Sequence, residues 1–386
     1  MNPTSVESFT RNAVDLIERE DLGRRLAKGE PLRVKFGMDP SSPDLHLGHC
    51  VQLFKLRALQ QAGHTIVLIV GDSTAMVGDP SGRNKLRPQL TRAEVEINLA
   101  TYVSQVGKVI DMQRAEIHRN SEWFDAMRFE DVLRLASRMT VARMLERDTF
   151  QKRTAENEPI GIHEFLYPLM QGWDSVMIRA DVELGGTDQL FNLIVGRHLQ
   201  EQMSQPPQVV MTLPLITGLD GRKMSKSYDN SVPLTDSARE MFHKIKRVED
   251  QQVATWFELL TEVEPAEIAR LCAGDWRDAK DRLASEITRF FHGEKSLETV
   301  RDAPEIPWPD RKLESLPLAN LLKELGLSST TSEARRAVQQ GGVTIDGVPV
   351  ADAVLVVKQA SLPILLQLGK RRAARVVPPR VVPPLG

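Results

Sequence analysis

The sequence predicts an α/β protein in three parts: a Rossmann-like parallel-sheet domain, an α-helical domain and a small α+β module. Three observations predict it. Arg33 to Met38 and Thr65 to Val70 read as strands on either side of a stretch with helical spacing, which makes a βαβ unit. Beyond Ser227 strand signals thin out and helical periodicity takes over, as far as a stretch punctuated by Pro304, Pro307 and Pro309. After residue 316 come a short helix, a second helix with its own cap, and an Asp-Gly hairpin.

Each element has its reason. Arg33 to Met38 alternates and runs into a Gly/Pro/Asp turn. Leu47, Val51, Phe54 and Ala58 place a helix over Leu47 to Ala62, ended by Gly63. Thr65 to Val70 is continuous and rich in β-branched residues, as a strand covered on both faces should be. The crossover is expected to be right-handed, with ligands outside the carboxyl ends of the strands. The loop carrying Asp39 and the turn Gly71 to Gly82 fall at those ends. Residues 92 to 160 read as mostly helical and charged. Asp181 to Gly186 and Val209 to Leu215 suggest two more strands. In the last module Leu318 to Leu325 is a short helix. Thr330-x-x-Glu333 is a capping box opening a helix that carries Arg335 and Arg336 and stops at Gly341-Gly342. Val343 to Val348 reads as a hairpin around Asp346-Gly347. The expected boundaries are 1–235 for the sheet domain, with a helical insertion at about 110–165, then 236–303 for the helical domain. A linker at 304–315, the module at 316–376 and a loose tail at 377–386 complete the chain.

Composition narrows the class. The chain has 386 residues, 41% apolar and 26% charged, as for a globular protein of two or three domains. Its net charge is only −2, but residues 311 to 386 hold eleven Lys/Arg against five Asp/Glu, a net of +6, leaving −8 for the rest. A basic appendage on an acidic body points to nucleic acid as partner. Cys50 and Cys272 are far apart and suit neither a disulfide framework nor a metal site, so no protein-bound metal is expected and a cytoplasmic setting is. The acidic N-terminus has no signal-peptide core, and no apolar run is long enough to span a membrane.

Two motifs carry the chemistry. His46-Leu47-Gly48-His49 opens the first helix, and Lys223-Met224-Ser225-Lys226-Ser227 follows the strand near Val209. A pair of surface imidazoles, or a solvated basic loop, would explain either alone. Together, in this order and separation, they resemble the two signatures of class I aminoacyl-tRNA synthetases. His46 and His49 share one helix face, at a terminus that favours phosphate, with Gly48 allowing close approach. Their rings can donate hydrogen bonds to charge developing on an α-phosphate. Lys223 and Lys226 supply ammonium groups, and Ser225 and Ser227 hydroxyls, for a departing pyrophosphate. No G-x-x-x-x-G-K-[ST] run is present, so this is not a P-loop enzyme. Tyr167, Gln171 and Asp174 lie at i, i+4 and i+7, a polar stripe on one helix face. Phe165, Leu166, Leu169 and Met170 around it argue that the face is enclosed.

With these residues stated, the chain resembles the bacterial tyrosyl-tRNA synthetases along nearly its whole length. The resemblance rests on Gly37 to Ser41, His46 to His49, Thr74 to Gly82, Tyr167 to Asp174, Gly185 to Gln189 and the lysine loop. The module after residue 316 resembles an S4-like RNA-binding domain, and the helical segment 236–303 corresponds to an anticodon-binding domain. The resemblance implies tyrosine activation by ATP, with Mg2+ carried by the ATP, followed by transfer to the 3′ end of tRNA(Tyr), in a homodimer. It implies that Asp79, Tyr167 and Gln171 hold the tyrosine amino group, that Asp174 accepts a hydrogen bond from the phenol, and that Asp39 and Gln189 line the same pocket. It implies that Gly37, Ser41, Gly48, Asp188, Met224 and Lys226 lie against ATP. The basic residues Arg335, Arg336, Lys370, Arg371 and Arg372 would face RNA. One position departs: where better-known members carry a phenol-contacting Tyr, this chain has Lys35. Either Asp174 is then the main phenol reader, or the pocket is arranged differently.

Other readings are a tryptophanyl-tRNA synthetase, a synthetase-like RNA-binding protein without catalysis, and a tyrosine ligase acting on a small molecule. The Tyr167/Gln171/Asp174 set disfavours the first, intact His46, His49, Lys223 and Lys226 the second, and the basic C-terminal module the third.

Overall fold

The computed structural model describes residues 5–81, 90–225, 228–301, 305–310, 312–369 and 372–379. Its contacts divide the chain into two units: Met1–Asp236 with Lys244–Leu283, and Ser237–His243 with Ala284–Gly386.

The first unit is built on a six-stranded sheet. Its strands are β1 (Leu16–Ile17), β2 (Arg33–Met38), β3 (Thr65–Val70), β4 (Ala115–Arg119), β5 (Val182–Gly186) and β6 (Val209–Leu213), in the order β1-β6-β5-β2-β3-β4. All pairs are parallel except β1 with β6. Every residue of β5 and β6 is buried, Glu183 among them. The βαβ unit read from the sequence is present: helix Leu47–Gln61 connects β2 to β3 and buries Leu47, Val51, Leu53, Leu56 and Leu59. The strand order reverses between β2 and β5, the switch point where open α/β sheets take ligands outside the carboxyl ends of the strands.

Two strands of this sheet escape the sequence reading. β4 lies inside the stretch read as mostly helical. It is a charged edge strand, Ala-Glu-Ile-His-Arg, with no buried residue, so it lacks the apolar alternation that identifies a strand. β1 is only two residues long.

Helices Leu166–Ile178 and Leu190–Gln202 pack closely on one another. A Cβ on Gly172 would lie 3.0 Å from Leu199 Cδ1 and 3.1 Å from the Gly196 nitrogen. The close approach therefore needs glycine at Gly172. Helix Asp250–Leu260 packs on the 47–61 helix and buries Trp256 and Phe257. Among the described residues no helix is long and apolar enough to cross a membrane.

The second unit has β7 (Glu305–Pro307), β8 (Ser315–Pro317), β9 (Val343–Ile345), β10 (Val348–Pro349), β11 (Val356–Lys358), β12 (Ile364–Leu368) and β13 (Arg372–Val377). Five form a sheet in the order β10-β9-β12-β13-β7, and β11 pairs with β8. The expected hairpin is there, with Asp346 and Gly347 at φ 48° and 83°, the positive values its Asp-Gly turn demands. Thr330 caps helix Thr331–Gln339 by accepting from the Glu333 N–H at 3.1 Å. The stretch read as a linker is partly built into the sheet. β7 pairs in parallel with β13, and Trp308, only 2% exposed, sits in a core with Leu318, Leu322, Val338, Leu366 and Val376. Prolines suggested a break, but β7 is an edge strand, where a missing N–H is tolerated. Val377, expected in the tail, ends β13.

Candidate active site

The site lies in the first unit, outside the carboxyl ends of β2 to β6. His46 is the N-cap of helix Leu47–Gln61. Its Nδ1 accepts from the Gly48 N–H at 3.1 Å, and His49 Nδ1 accepts from the His46 N–H at 3.2 Å. In the neutral rings both protons therefore sit on Nε2. The ring centroids are 4.0 Å apart. A Cβ on Gly48 would lie 2.9 Å from the His46 ring, so a side chain there would push the ring out of this position.

The lysine loop is held against that helix start. Gly48 N–H also points to Met224 Sδ at 3.2 Å, and Met224 is buried. Asn230 organises the loop from within. Its Oδ1 accepts from the Ser225 N–H at 2.8 Å, and its Nδ2 donates to the Lys223 carbonyl at 3.1 Å and to Asp220 at 2.6 Å. Lys223 Nζ pairs with Asp188 at 2.8 Å. Lys226 and Ser227 lie outside the described residues, as do Gly82, Lys370 and Arg371.

Asp39 follows β2. Its Oδ2 accepts from the Tyr167 hydroxyl at 2.8 Å, its Oδ1 from Thr74 Oγ1 at 2.7 Å, and its carbonyl from the Tyr102 hydroxyl at 3.2 Å. Ser41 N–H returns to the same carbonyl at 2.7 Å. Above Gly37 a side chain would meet only open space.

The polar stripe on helix Leu166–Ile178 faces inward, not to solvent. Tyr167 and Asp174 are 6% and 3% exposed. Two hydrogen-bonded rails leave it. One joins Gln171 to Asn192 (3.0 Å), Asn192 to Gln189 (2.9 Å) and Gln189 to Asp79 (2.8 Å). The other joins Asp174 to Asn120 (3.4 Å), Asn120 to Thr74 (3.1 Å) and Thr74 to Asp39. Asp174 also accepts from Trp123 Nε1 at 3.0 Å. Burial pushes the Asp174 carboxyl up to about 7, against the opposing pull of the Lys35 charge and the Trp123 and Asn120 hydrogen bonds.

Thus Asp39, Asp79, Tyr167, Gln171, Asp174 and Gln189 are gathered by hydrogen bonds in one region, with His46, His49, Lys223 and Asp188 at the same ends of the sheet. Sequence reading missed Asn120, Trp123, Asn192 and Arg147. Asn120 and Trp123 follow the unrecognised β4. Asn192 stands one helical turn after Gln189, a spacing that could have revealed it. Arg147, 4% exposed, donates to Ser81 and pairs with Asp79 at 3.4 Å, while its Nη1 has no hydrogen-bond partner among the described residues. Burial lowers its pKa, with the nearby Asp79, Tyr167 and Asp188 opposing.

Lys35 is fully buried against Glu183 at 2.8 Å. In the second unit Arg335 and Arg336 are exposed on helix Thr331–Gln339, while Arg372 is tied to Glu333 of that helix at 2.8 Å.

Residues 27–305 match the family of tRNA synthetases class I (W and Y), and residues 316–359 match the S4 domain. The chain is 48% identical to the tyrosine–tRNA ligase of Thermotoga maritima, over 96% of each chain. It is 44% identical to that of Francisella tularensis, over 97% of this chain and 98% of the other. Its fold resembles an Aspergillus nidulans mitochondrial tyrosyl-tRNA synthetase truncated at its C-terminus, with TM-score 0.65, 24% identity, and 77% and 92% of the two chains covered. It also resembles the Archaeoglobus fulgidus tyrosyl-tRNA synthetase complexed with L-tyrosine, with TM-score 0.61, 23% identity, and 76% and 98% covered.

Proposed function

This chain belongs to the class I tRNA synthetases of the tryptophan and tyrosine family, and from that premise we infer that it is a tyrosine–tRNA ligase. It activates L-tyrosine with ATP to tyrosyl-adenylate and pyrophosphate, then transfers tyrosine to tRNA(Tyr). The observation that carries tyrosine over tryptophan is Asp174, a buried carboxylate at the end of an inward-facing polar stripe, suited to a phenol O–H. ATP–pyrophosphate exchange with tyrosine, tryptophan and phenylalanine, followed by charging of purified tRNA, tests it. Exchange driven by tryptophan would overturn it.

The residue roles follow from donor and acceptor chemistry. Asp79, Gln171 and Tyr167 would hold the amino group, and Asp39 and Gln189 would complete the pocket. The tyrosine carboxylate then attacks the α-phosphorus in line with the departing pyrophosphate. His46 and His49, with protons on Nε2, would donate to the developing charge. Lys223, Lys226 and Ser227 would meet the pyrophosphate. Gly37, Ser41, Gly48, Asp188 and Met224 would bound the nucleotide. Mg2+ would arrive with the ATP and neutralise its phosphates. We further propose a cytoplasmic homodimer in which the helices of 236–303 meet the anticodon arm and the S4 module meets RNA through Arg335, Arg336, Lys370, Arg371 and Arg372.

The pH dependence has a definite sign. Asp174 serves the phenol as a carboxylate, and burial raises its pKa to about 7. kcat/KM for tyrosine should therefore be flat above that pH and fall about tenfold per unit below it. Folding stability moves the other way. Unfolding returns the carboxyl to the ordinary aspartate value of 3.8, so the native state binds the extra proton and loses stability as pH rises from about 4 to 7. A pH profile of tyrosine-dependent exchange without an acid limb near 7 would remove Asp174 from phenol recognition.

Ending the chain after Arg301 should leave tyrosine-dependent exchange within about twofold, since every assigned catalytic residue precedes Tyr228. The truncated protein should show a raised KM for tRNA and a flatter salt dependence of tRNA binding, because phosphate contacts release counterions. Equal salt slopes for truncated and full-length chains would refute RNA binding by this module.

A further inference from the structure

Lys35 stands where the resemblance expects a group touching the phenol, yet its bonds are spent elsewhere. An ammonium has three N–H donors. Lys35 Nζ lies 2.8 Å from Glu183 Oε1, 2.6 Å from the Gln171 carbonyl and 2.7 Å from Ser175 Oγ. All three donors are used, so none remains for a substrate hydroxyl. Glu183 is equally occupied. It accepts from Gln171 Nε2 at 3.2 Å, from Ser175 Oγ at 3.0 Å and from Gln208 Nε2. Ser175 gives its single proton to Glu183 and offers its oxygen to Lys35, so donors and acceptors balance.

Both residues grip the helix that carries the pocket stripe. Gln171 and Ser175 are one turn apart on helix Leu166–Ile178, and Asp174 stands between them. We propose that the buried Lys35–Glu183 pair is a positioning device for tyrosine recognition: it pins this helix by its main chain, aims Gln171, and lays a positive charge beside Asp174 without touching the phenol. The proposal rests on the tyrosine reading of the pocket. The charged side chains acting on Asp174 are Lys35, which favours its ionised form, and Glu183, which opposes it more weakly. A Lys35 that swung toward the phenol would abandon three hydrogen bonds and leave Glu183 buried without its counter-charge, a strongly unfavourable exchange.

Lys35→Met alone strands that carboxylate, so the informative variant is Lys35→Met with Glu183→Gln, which keeps the site neutral and filled. In the full-length protein its KM for tyrosine should rise about tenfold with kcat within about threefold. The acid limb of kcat/KM should move to higher pH by about one unit, because the larger of the two charges acting on Asp174 is gone. An acid limb and a KM both equal to those of the wild type overturn the proposal, as does a loss confined to kcat. Failure of the wild type to exchange pyrophosphate with tyrosine would instead overturn the reading on which the proposal rests. Should the double variant not fold, a crystal structure of the wild type with L-tyrosine decides. Lys35 should keep its three partners with the phenol oxygen on Asp174, and a phenol oxygen within hydrogen-bond distance of Lys35 Nζ overturns the proposal.

Discussion

Asp174→Ala should collapse the ratio of kcat/KM for tyrosine over phenylalanine. Wild-type Asp174 is fully enclosed and takes hydrogen bonds from Trp123 and Asn120. A bound tyrosine adds the phenol O–H as a further donor. Phenylalanine offers nothing there, so the buried carboxylate would lose a hydrogen bond without regaining water. Sites built to bond a substrate hydroxyl reject its absence by about 10⁴–10⁵, a tyrosyl-tRNA synthetase being the standard example of the upper value, and they need no editing step. With alanine in place the penalty disappears, and the ratio should fall by at least about 10³. The fall should come from both sides, phenylalanine losing its penalty and tyrosine losing the acceptor for its phenol. A ratio that survives the substitution would give phenol recognition to another group.

Lys226→Ala should slow adenylate formation by about two orders of magnitude or more, roughly 3 kcal/mol, with tyrosine affinity nearly unchanged. The effect belongs to the rate because the charge is needed only as the pyrophosphate departs. The other lysine of the motif, Lys223, is paired with Asp188, which limits how far it can substitute. Stopped-flow measurement of adenylate formation is the check, and an unchanged rate would refute the assignment. Equilibrium binding of tyrosine to the same variant guards against a general disturbance of the pocket.

Much of this architecture was legible because it is local. The strands Arg33–Met38 and Thr65–Val70 and the helix between them announce themselves by periodicity and composition. The Asp346-Gly347 turn announces itself by chemistry. The stripe of Tyr167, Gln171 and Asp174 was visible as spacing, and its enclosure could be argued from the apolar residues beside it. What stayed hidden depended on distant partners. β4 is an edge strand whose identity comes from pairing with β3, so its charged sequence read as helix. Asn120 and Trp123, which hold Asp174, were lost with it. Lys35 looked like a substitution in the pocket wall. Only the parallel pairing of β2 with β5 brings Glu183 to it and turns it into half of a buried pair. Trp308 looked like part of a linker, and only the packing of a core recruits it.

The parallel pairing of β7 with β13 also sets an order of events during synthesis. β13 lies between β12 and β7, so the second unit's sheet has at its interior the last of its strands to be translated. β7 leaves the ribosome well before its partner exists. Chains emerge at about 5–20 residues per second and fold unit by unit from the N-terminal side. The residues that surround Asp39 and His46 can therefore assemble while the later sheet is still an open edge. For those seconds β7 presents unpaired backbone to the surroundings, which is where a nascent chain of this protein is most exposed to misassembly or to capture by a chaperone.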